Sequence, residues 1–265
     1  MHPAINIALR AARGAAEQIV HATDRRDRIT VVSDTPDTLV TSTDVDAERT
    51  ILYHLQKAYP DFGVESRLSG TIEGKDKEST WVIDPLVSNR NFHQGIGGYA
   101  VSIALRTNRG ITHAVLINPA TNQEFVASKG SGARLNSYRL RISQRSLENA
   151  FIGLDPDPNP GLATAVLPHL QQQLLEQPCH VRMSGCTALD MAHVAAGFLD
   201  GGWCNQQHPA SLAAAQLIML EAGALLSDPQ GNPQTTGSKE LIFGNPKCFK
   251  QLLMIRQTYT QFSDA

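Results

Sequence analysis

Trp81-Val82-Ile83-Asp84-Pro85-Leu86-Val87-Ser88-Asn89-Arg90-Asn91-Phe92 is the stretch on which the reading of this chain turns. Aromatic and β-branched residues at 81–83 predict a strand. Asp-Pro at its end is turn chemistry, because proline fixes its own φ and an aspartate side chain bonds nearby backbone N–H groups. The residues from Ser88 onward are polar and amide-rich. A buried strand thus delivers one carboxylate, Asp84, to the start of a loop, with no second acid in the next eight residues.

Outward from this stretch the pattern stays strand-like. Tyr99 to Leu105, Thr112 to Ile117 and Gln123 to Ala127 alternate with turn signals at Asn108-Arg109-Gly110 and Asn118-Pro119, which predicts antiparallel meanders. Gly130-Ser131-Gly132 and a short hairpin around Asn136 close this half. Upstream, Pro3 to Ala22 carries Ile5, Ile7, Ala8, Ala11, Ala15, Ile19 and Val20 at largely helical spacing. Asp24 to Asp37, with Pro36, reads as a loop or ragged hairpin. A second helix is expected from about Asp44 to Tyr59, capped by Thr41 or Thr43 and stopped by Pro60. From Pro160 onward helices at 162–175, 188–196, 211–222 and 246–258 alternate with short strands at 181–183, 201–204 and 241–243. An α+β lobe (1–150) is therefore followed by an α/β lobe (151–265) in one structural unit. The boundary falls near 145–160, marked by Pro156, Pro158 and Pro160.

The net charge of −2 offers no bulk case for nucleic acid or membrane binding, so direct nucleic-acid contact is not expected, although a summed charge hides a local basic face. No apolar run approaches the ~20 residues of a membrane helix. Arg10 and Arg13 sit inside an amphipathic stretch, unlike a secretory leader, and the expected location is cytoplasmic. Cys179, Cys186, Cys204 and Cys248 lack C-x-x-C or zinc spacing and read as reduced thiols.

Several segments resemble the inositol monophosphatase family. The stretch at 81–92 looks like its Trp-Val-Ile-Asp-Pro-Leu/Ile-Asp-Gly-Thr-x-Asn-Phe signature. Leu39-Val40-Thr41-Ser42-Thr43-Asp44 resembles its Leu/Phe-Val-Thr-x-x-Asp element, and Gly130-Ser131-Gly132-Ala133 its Gly-x-Gly-Ala turn. Ser184 to Asp190 is similar to its Gly-Ser-Ala-Ala-Leu-Asp helix start. Ala213-Ala214 and Glu221-Ala222-Gly223 match its C-terminal helix. The opening Met1-His2-Pro3, Asn6-Ile7-Ala8 and Arg10 to Arg13 are similar to the bacterial SuhB branch. The resemblance runs from residue 1 to about 260. It implies a layered α-β-α-β-α sandwich and commonly a homodimer.

It also implies a Mg²⁺ site, which hard oxygen ligands in near-octahedral array would build. Position by position the ligands are missing. Asp84 keeps its place, as does Leu86, whose backbone carbonyl the family uses. The second signature Asp is Val87, and Gly-Thr is Ser88-Asn89. An ungapped register puts Arg67 and Leu68 on the family's Glu-Glu pair, which supplies a metal-binding and water-activating Glu; a slip would bring Glu65-Ser66 there. Cys204 replaces a sugar-contacting carboxylate and Ser211 the last metal-ligating Asp, while Asp34 lies near a missing lysine. No metal is expected, with Glu65 and Asp44 as weak candidates beside Asp84. Arg67 is expected to pair with Asp84, since an unpaired buried carboxylate is costly.

Other candidates carry less. His93 is a lone histidine after Phe92. His208 and Ser211 have no evident acidic orienter. Arg182 sits where relatives place a dimer-interface strand. The loop from Asn89 to Gln94 could meet an anionic partner. Two functions remain open. One is a regulatory protein without hydrolytic activity, joining RNA polymerase and Nus factors in ribosomal-RNA antitermination, as the resemblance implies. The other is an active inositol-1-monophosphatase or related sugar phosphatase with a site remodelled around Asp84, Glu65 and Asp44.

Overall fold

The computed structural model describes residues 2–35, 38–156, 162–233 and 237–263. Helix α1 (Pro3–Thr23) opens on His2, whose Nδ1 accepts the Ala4 N–H at 3.2 Å ahead of Pro3. Its Ile5, Ala8, Ala12, Ala15 and Ile19 are buried, as their spacing requires. Strands β1 (Val31–Asp34) and β2 (Leu39–Thr41) form the ragged hairpin. Pro36 lies outside the described residues. Helix α2 (Ser42–Ala58) starts at Thr41, where Asp44 accepts the Thr41 backbone N–H at 2.8 Å.

Strands β3 (Phe62–Ser66) and β4 (Gly70–Ile72) are additions to the sequence reading. The central strand β5 (Asp76–Val87) is longer than 81–83, running through Asp84-Pro85 to Val87. Beyond it, 89–94 forms a short helix, α3 (Asn89–Gln94), and not the expected loop. Ser88 makes the turn in the left-handed region (φ 59°). Strands β6 (Ala100–Thr107), β7 (Gly110–Asn118), β8 (Gln123–Ser128), β9 (Gly132–Leu135) and β10 (Tyr138–Arg139) continue as an antiparallel meander. The eight-stranded sheet has the order β10-β9-β8-β7-β6-β5-β3-β4, with β3 parallel to β5.

The second sheet begins earlier than the prolines suggest. Strand β11 (Phe151–Asp155) precedes Pro156 and pairs with both β12 (His180–Arg182) and β13 (Gly201–Asn205). The switch between sheets therefore lies before residue 151, because Phe151 to Asp155 already pair with β12 and β13. Pro158 and Pro160 lie outside the described residues. Helices α4 (Leu162–Leu175), α5 (Thr187–Ala195) and α6 (Pro209–Glu221), strands β14 (Leu225–Ser227) and β15 (Glu240–Gly244), and α7 (Pro246–Ser263) complete the chain. The sheet order is β12-β11-β13-β15-β14.

Three apolar layers hold these parts together. Trp81, Ile83, Val101, Ile103 and Val115 pack with α1 and α2 on one face of the large sheet. Val82, Ala104, Leu116 and Phe125 on its other face meet α5 and α6, which also meet Cys204, Leu241 and Phe243 of the small sheet. Trp203 and Ile242 face outward onto α4 and α7. The alternation of neighbours Trp81/Val82 and Trp203/Cys204 is the period of two that puts successive side chains on opposite faces. The result is the layered α-β-α-β-α sandwich. It brings the end of β5, the start of α2, the start of α6 and the turn after β3 to one place.

Candidate functional site

The site forms around two buried carboxylates, Asp84 at 1% and Asp44 at 0% exposure. Asp84 is brought by β5 and Asp44 by the first turn of α2. Between them stands Arg67, on the turn after β3. Its Nε donates to Asp84 Oδ1 at 2.9 Å, its Nη2 to Asp44 Oδ1 at 3.3 Å and its Nη1 to Thr38 Oγ1 at 3.1 Å. The parallel register Ser66↔Ile83 and the bond from Arg67 N–H to Ile83 O place residue 67 beside residue 84. Glu65 lies two residues back, paired with Arg106 at 2.5 Å on the wall of a separate cavity of about 550 Å³.

The remaining carboxylate oxygens are engaged as well. Ser211 Oγ, in the first turn of α6, donates to Asp84 Oδ2 at 2.5 Å, and Leu86 N–H donates to Asp84 Oδ1 at 3.2 Å. Asn89 Nδ2 donates to Asp44 Oδ1 at 3.0 Å and also to the Leu39 carbonyl. Thr41 gives Asp44 Oδ2 both its N–H (2.8 Å) and its hydroxyl (2.6 Å). Three donors on Asp84 and four on Asp44 leave no oxygen of either group without a hydrogen bond.

A third acid, Glu48 on α2, fastens the turn that carries Arg67. Its carboxylate accepts from the Ser66 hydroxyl and from the Ser69 N–H at 3.2 Å. Burial by itself would lower the Arg67 pKa, but Asp84, Asp44 and Glu48 outweigh it and raise the value, so the guanidinium is held charged. Burial pushes the Asp44 pKa up, against the opposing pull of Thr41, Asn89 and Arg67.

The other sequence candidates lie elsewhere or serve locally. Val87 is 5% exposed and packs in the apolar layer shared with α5 and α6. Cys204 is buried beside Asp155 and Thr187, where burial and the Asp155 charge push its thiol well up. Asp34 pairs with Arg90 at 3.0 Å. His208 Nδ1 accepts the Ala210 N–H at 3.2 Å, capping α6 just as His2 caps α1, while Ser211 donates to Asp84. These bonds do not join His208 and Ser211 as base and nucleophile. The Asn91 amide bridges the Gly98 and Ser184 carbonyls, so this part of 89–94 is spent on holding α3 against the turn before α5. The sequence reading missed Glu48, Thr38 and Thr41 as site residues; the Thr41-x-x-Asp44 spacing of a capping box was a signal for one of them.

A second polar group lies at the start of α5. Asp155 Oδ2 accepts the Thr187 N–H at 2.8 Å and the Thr187 hydroxyl, and Asp190 accepts from Ser184 Oγ at 2.9 Å. A Cβ on Gly153 would come within 2.8 Å of the Asp190 carboxylate, so glycine is what allows the approach. Burial, with the nearby Asp155 charge, raises the Asp190 pKa to about 7. The folded state thus holds a proton between pH ~4 and 7 that the unfolded chain releases, and stability falls as pH rises through that window. Asp190→Asn removes this loss and should gain on the parent protein by up to about 4 kcal/mol across it. His193, pushed down to about 4 by burial, acts in the opposite sense but cancels in the difference. Urea melts of both proteins at pH 4.5 and 7.5 check this; a constant difference would refute it.

Among the described residues no group of three or more His, Cys, Asp or Glu side chains is placed to hold a metal ion, and no helix is long and apolar enough to cross a membrane. The inositol monophosphatase family profile matches residues 1–261. A Pseudomonas aeruginosa protein named Nus factor SuhB is 39% identical over 264 residues, covering 98% of this chain and 97% of its own. The Nus factor SuhB of Escherichia coli is 35% identical over 255 residues, covering 96% and 95%. The crystal structure of extragenic suppressor protein suhB from Bartonella henselae superposes with a TM-score of 0.91 at 32% identity, covering 96% of this chain and 98% of that one. The Thermotoga maritima IMPase shares the fold, with a TM-score of 0.86 at 24% identity over 98% of this chain and 99% of its own. The layered sandwich, the full-length profile match and relatives above 30% identity agree that this chain belongs to the inositol monophosphatase family and is SuhB-like within it.

Proposed function

We propose that this protein has lost Mg²⁺-dependent phosphate-ester hydrolysis and acts as a regulatory binding protein of the transcription machinery. The observation that carries the first half is Arg67 seated between Asp44 and Asp84. Mg²⁺ takes several oxygen ligands whose lone pairs face the ion. Here each carboxylate oxygen faces an N–H or O–H, and a guanidinium charge stands between the two groups. These side chains do not fit the ion. Arg67 instead supplies positive charge between the carboxylates, and Asn89 and Ser211 hydrogen-bond them. The frame around the site is thereby kept without the metal.

The second half rests on the relatives, which carry the name Nus factor. Such a role uses the outer surface and leaves the buried cluster free to change. A homodimer belongs to this reading. The edge strand β12, with exposed Arg182 and Met183 beside it, is the face proposed for it, and sedimentation at micromolar concentration tests the assembly.

The deciding experiment is phosphate release from inositol-1-phosphate by purified protein with and without Mg²⁺. No Mg²⁺-dependent turnover is expected. Turnover of ~1 s⁻¹ or more, an ordinary enzyme rate, would overturn the proposal. Capture from the native cell should retain RNA polymerase subunits, and their absence would remove the transcriptional half.

A further inference from the structure

The net charge of −2 conceals a local concentration of the opposite sign. From Lys129 to Arg145 the chain carries five basic residues (Lys129, Arg134, Arg139, Arg141 and Arg145) and no acidic one. The fold gathers this segment at one edge of the large sheet. Arg134 and Arg139 are direct cross-strand partners on β9 and β10, and both are exposed. Like charges directly opposite each other in an antiparallel pair repel and destabilise it. Leu140 turns into the core, which leaves Arg139 and Arg141 together on the outer side, about 7 Å apart along an extended chain.

Among the described residues these three guanidinium groups find no acid. Arg145 is already paired with Asp200 at 2.9 Å. The acids attached to the same hairpins are engaged too. Glu124 binds Arg13 at 2.6 Å, and Glu221 accepts the N–H groups of Gly130 and Gly132 at 2.7 and 2.8 Å. Arg134 pairs in register with Val126, which packs on the α1 side of the sheet. The two arginines therefore stand on the α1 side of the sheet edge. At the tip of the same hairpin Tyr138 is 78% exposed, beside the exposed turn residues Asn136 and Ser137.

We infer that the β9–β10 hairpin is a docking surface for single-stranded RNA. Arg134, Arg139 and Arg141 meet successive phosphates, whose charge removes the repulsion that the free hairpin tolerates. Arginine suits this task because its planar fork binds phosphate oxygens in pairs. An exposed tyrosine with a neighbouring guanidinium is the kind of platform on which an unstacked base lies, and a serine hydroxyl can meet a ribose 2′-OH. An acidic protein segment would satisfy the charges but gives Tyr138 and the polar tip no role. The inference is independent of the metal-site proposal, since it uses the opposite edge of the sheet from β3 and β4.

The test is fluorescence anisotropy of a labelled unstructured 20-nucleotide RNA titrated with the full chain, repeated from 50 to 200 mM salt. Three phosphate contacts on a single strand give a salt exponent near −2, so affinity should fall roughly twentyfold over that range. The combined variant Arg134→Glu, Arg139→Glu, Arg141→Glu should bind at least tenfold more weakly. The corresponding Arg→Gln variant, free of added repulsion, should flatten the salt exponent by about 2. Arg25→Glu with Arg28→Glu, an exposed basic pair near the start of the chain, should bind within twofold of the parent. Retained binding in both hairpin variants would overturn the inference. Equal affinity for DNA of the same sequence would overturn the assignment to RNA, and full competition by polyglutamate at equal charge would point to an acidic protein instead.

Discussion

Arg67→Met should destabilise this protein by about 3–5 kcal/mol, the cost of leaving buried charge without its partner. Methionine keeps the length and apolar bulk of the arginine stem while removing the guanidinium. Asp84 and Asp44 then stay almost wholly buried with only hydroxyl, amide and backbone donors. In a chain of 265 residues this corresponds to a fall in Tm on the order of 10 °C. The variant's unpaired carboxylates should take up protons in the folded state, so its deficit should shrink as pH falls. Adding Asp84→Asn to Arg67→Met should restore part of the loss, with a coupling above about 1 kcal/mol because the two side chains touch. Urea midpoints at unchanged m measure both effects. A single-variant loss below about 1 kcal/mol would show that Arg67 is not what stabilises the carboxylate cluster.

The second large effect concerns magnesium. The combined variant Arg67→Glu, Val87→Asp, Asn89→Thr, Ser211→Asp replaces one cation, two hydrogen-bond donors and one methyl-bearing core contact by the groups the family uses. Without metal it should be the least stable form of this protein, because it adds three acids beside two buried ones and puts one of them at Val87 in the apolar layer. With Mg²⁺ at a hundred times its dissociation constant it should regain about 2.7 kcal/mol, since only the folded state holds the ligands together. The parent protein should show no such Mg²⁺-dependent gain. Thermal melts in chelator and in millimolar Mg²⁺ read this directly. An equal Mg²⁺ response in parent and variant would contradict the account of Arg67, Asn89 and Ser211 as stand-ins for the ion.

Much of the architecture is legible in local chemistry. Helical spacing from Ile5 to Ile19 and the threonine before Ser42 mark α1 and α2, and strand-like runs separated by Asn108-Arg109-Gly110 and Asn118-Pro119 mark the meander. The elements that escape are short strands whose partners are distant. Phe62–Ser66 and Leu225–Ser227 carry no periodicity long enough to read, and only pairing with β5 and β15 makes them strands. The segment 89–94 looks like a loop because its residues are polar. Yet Asn89 and Asn91 spend their amides on Leu39, Asp44, Gly98 and Ser184, and these bonds hold a helical turn in place.

At the site, motif spacing located Arg67, Asp84, Val87, Asn89 and Ser211 and the expected Arg67–Asp84 pair, which forms at 2.9 Å, but not the other partners. Asp44 was a weak metal candidate; in the fold it is the second buried acid of the cluster, reached by Arg67, Asn89 and Thr41. Cys204, at the position the resemblance gives to a sugar-contacting carboxylate, is buried beside Asp155 and Thr187. The sequence by itself determined the family frame, the order of elements and the presence of the donors Arg67, Asn89 and Ser211 at positions where the family resemblance implies metal-site groups. Only the tertiary structure decided that those donors meet the two remaining acids, with Ser211 crossing 127 positions to Asp84. Strand and helix periods are written in neighbouring residues, whereas the pairing of buried charges depends on which layers stack, and that is settled only when the whole core closes.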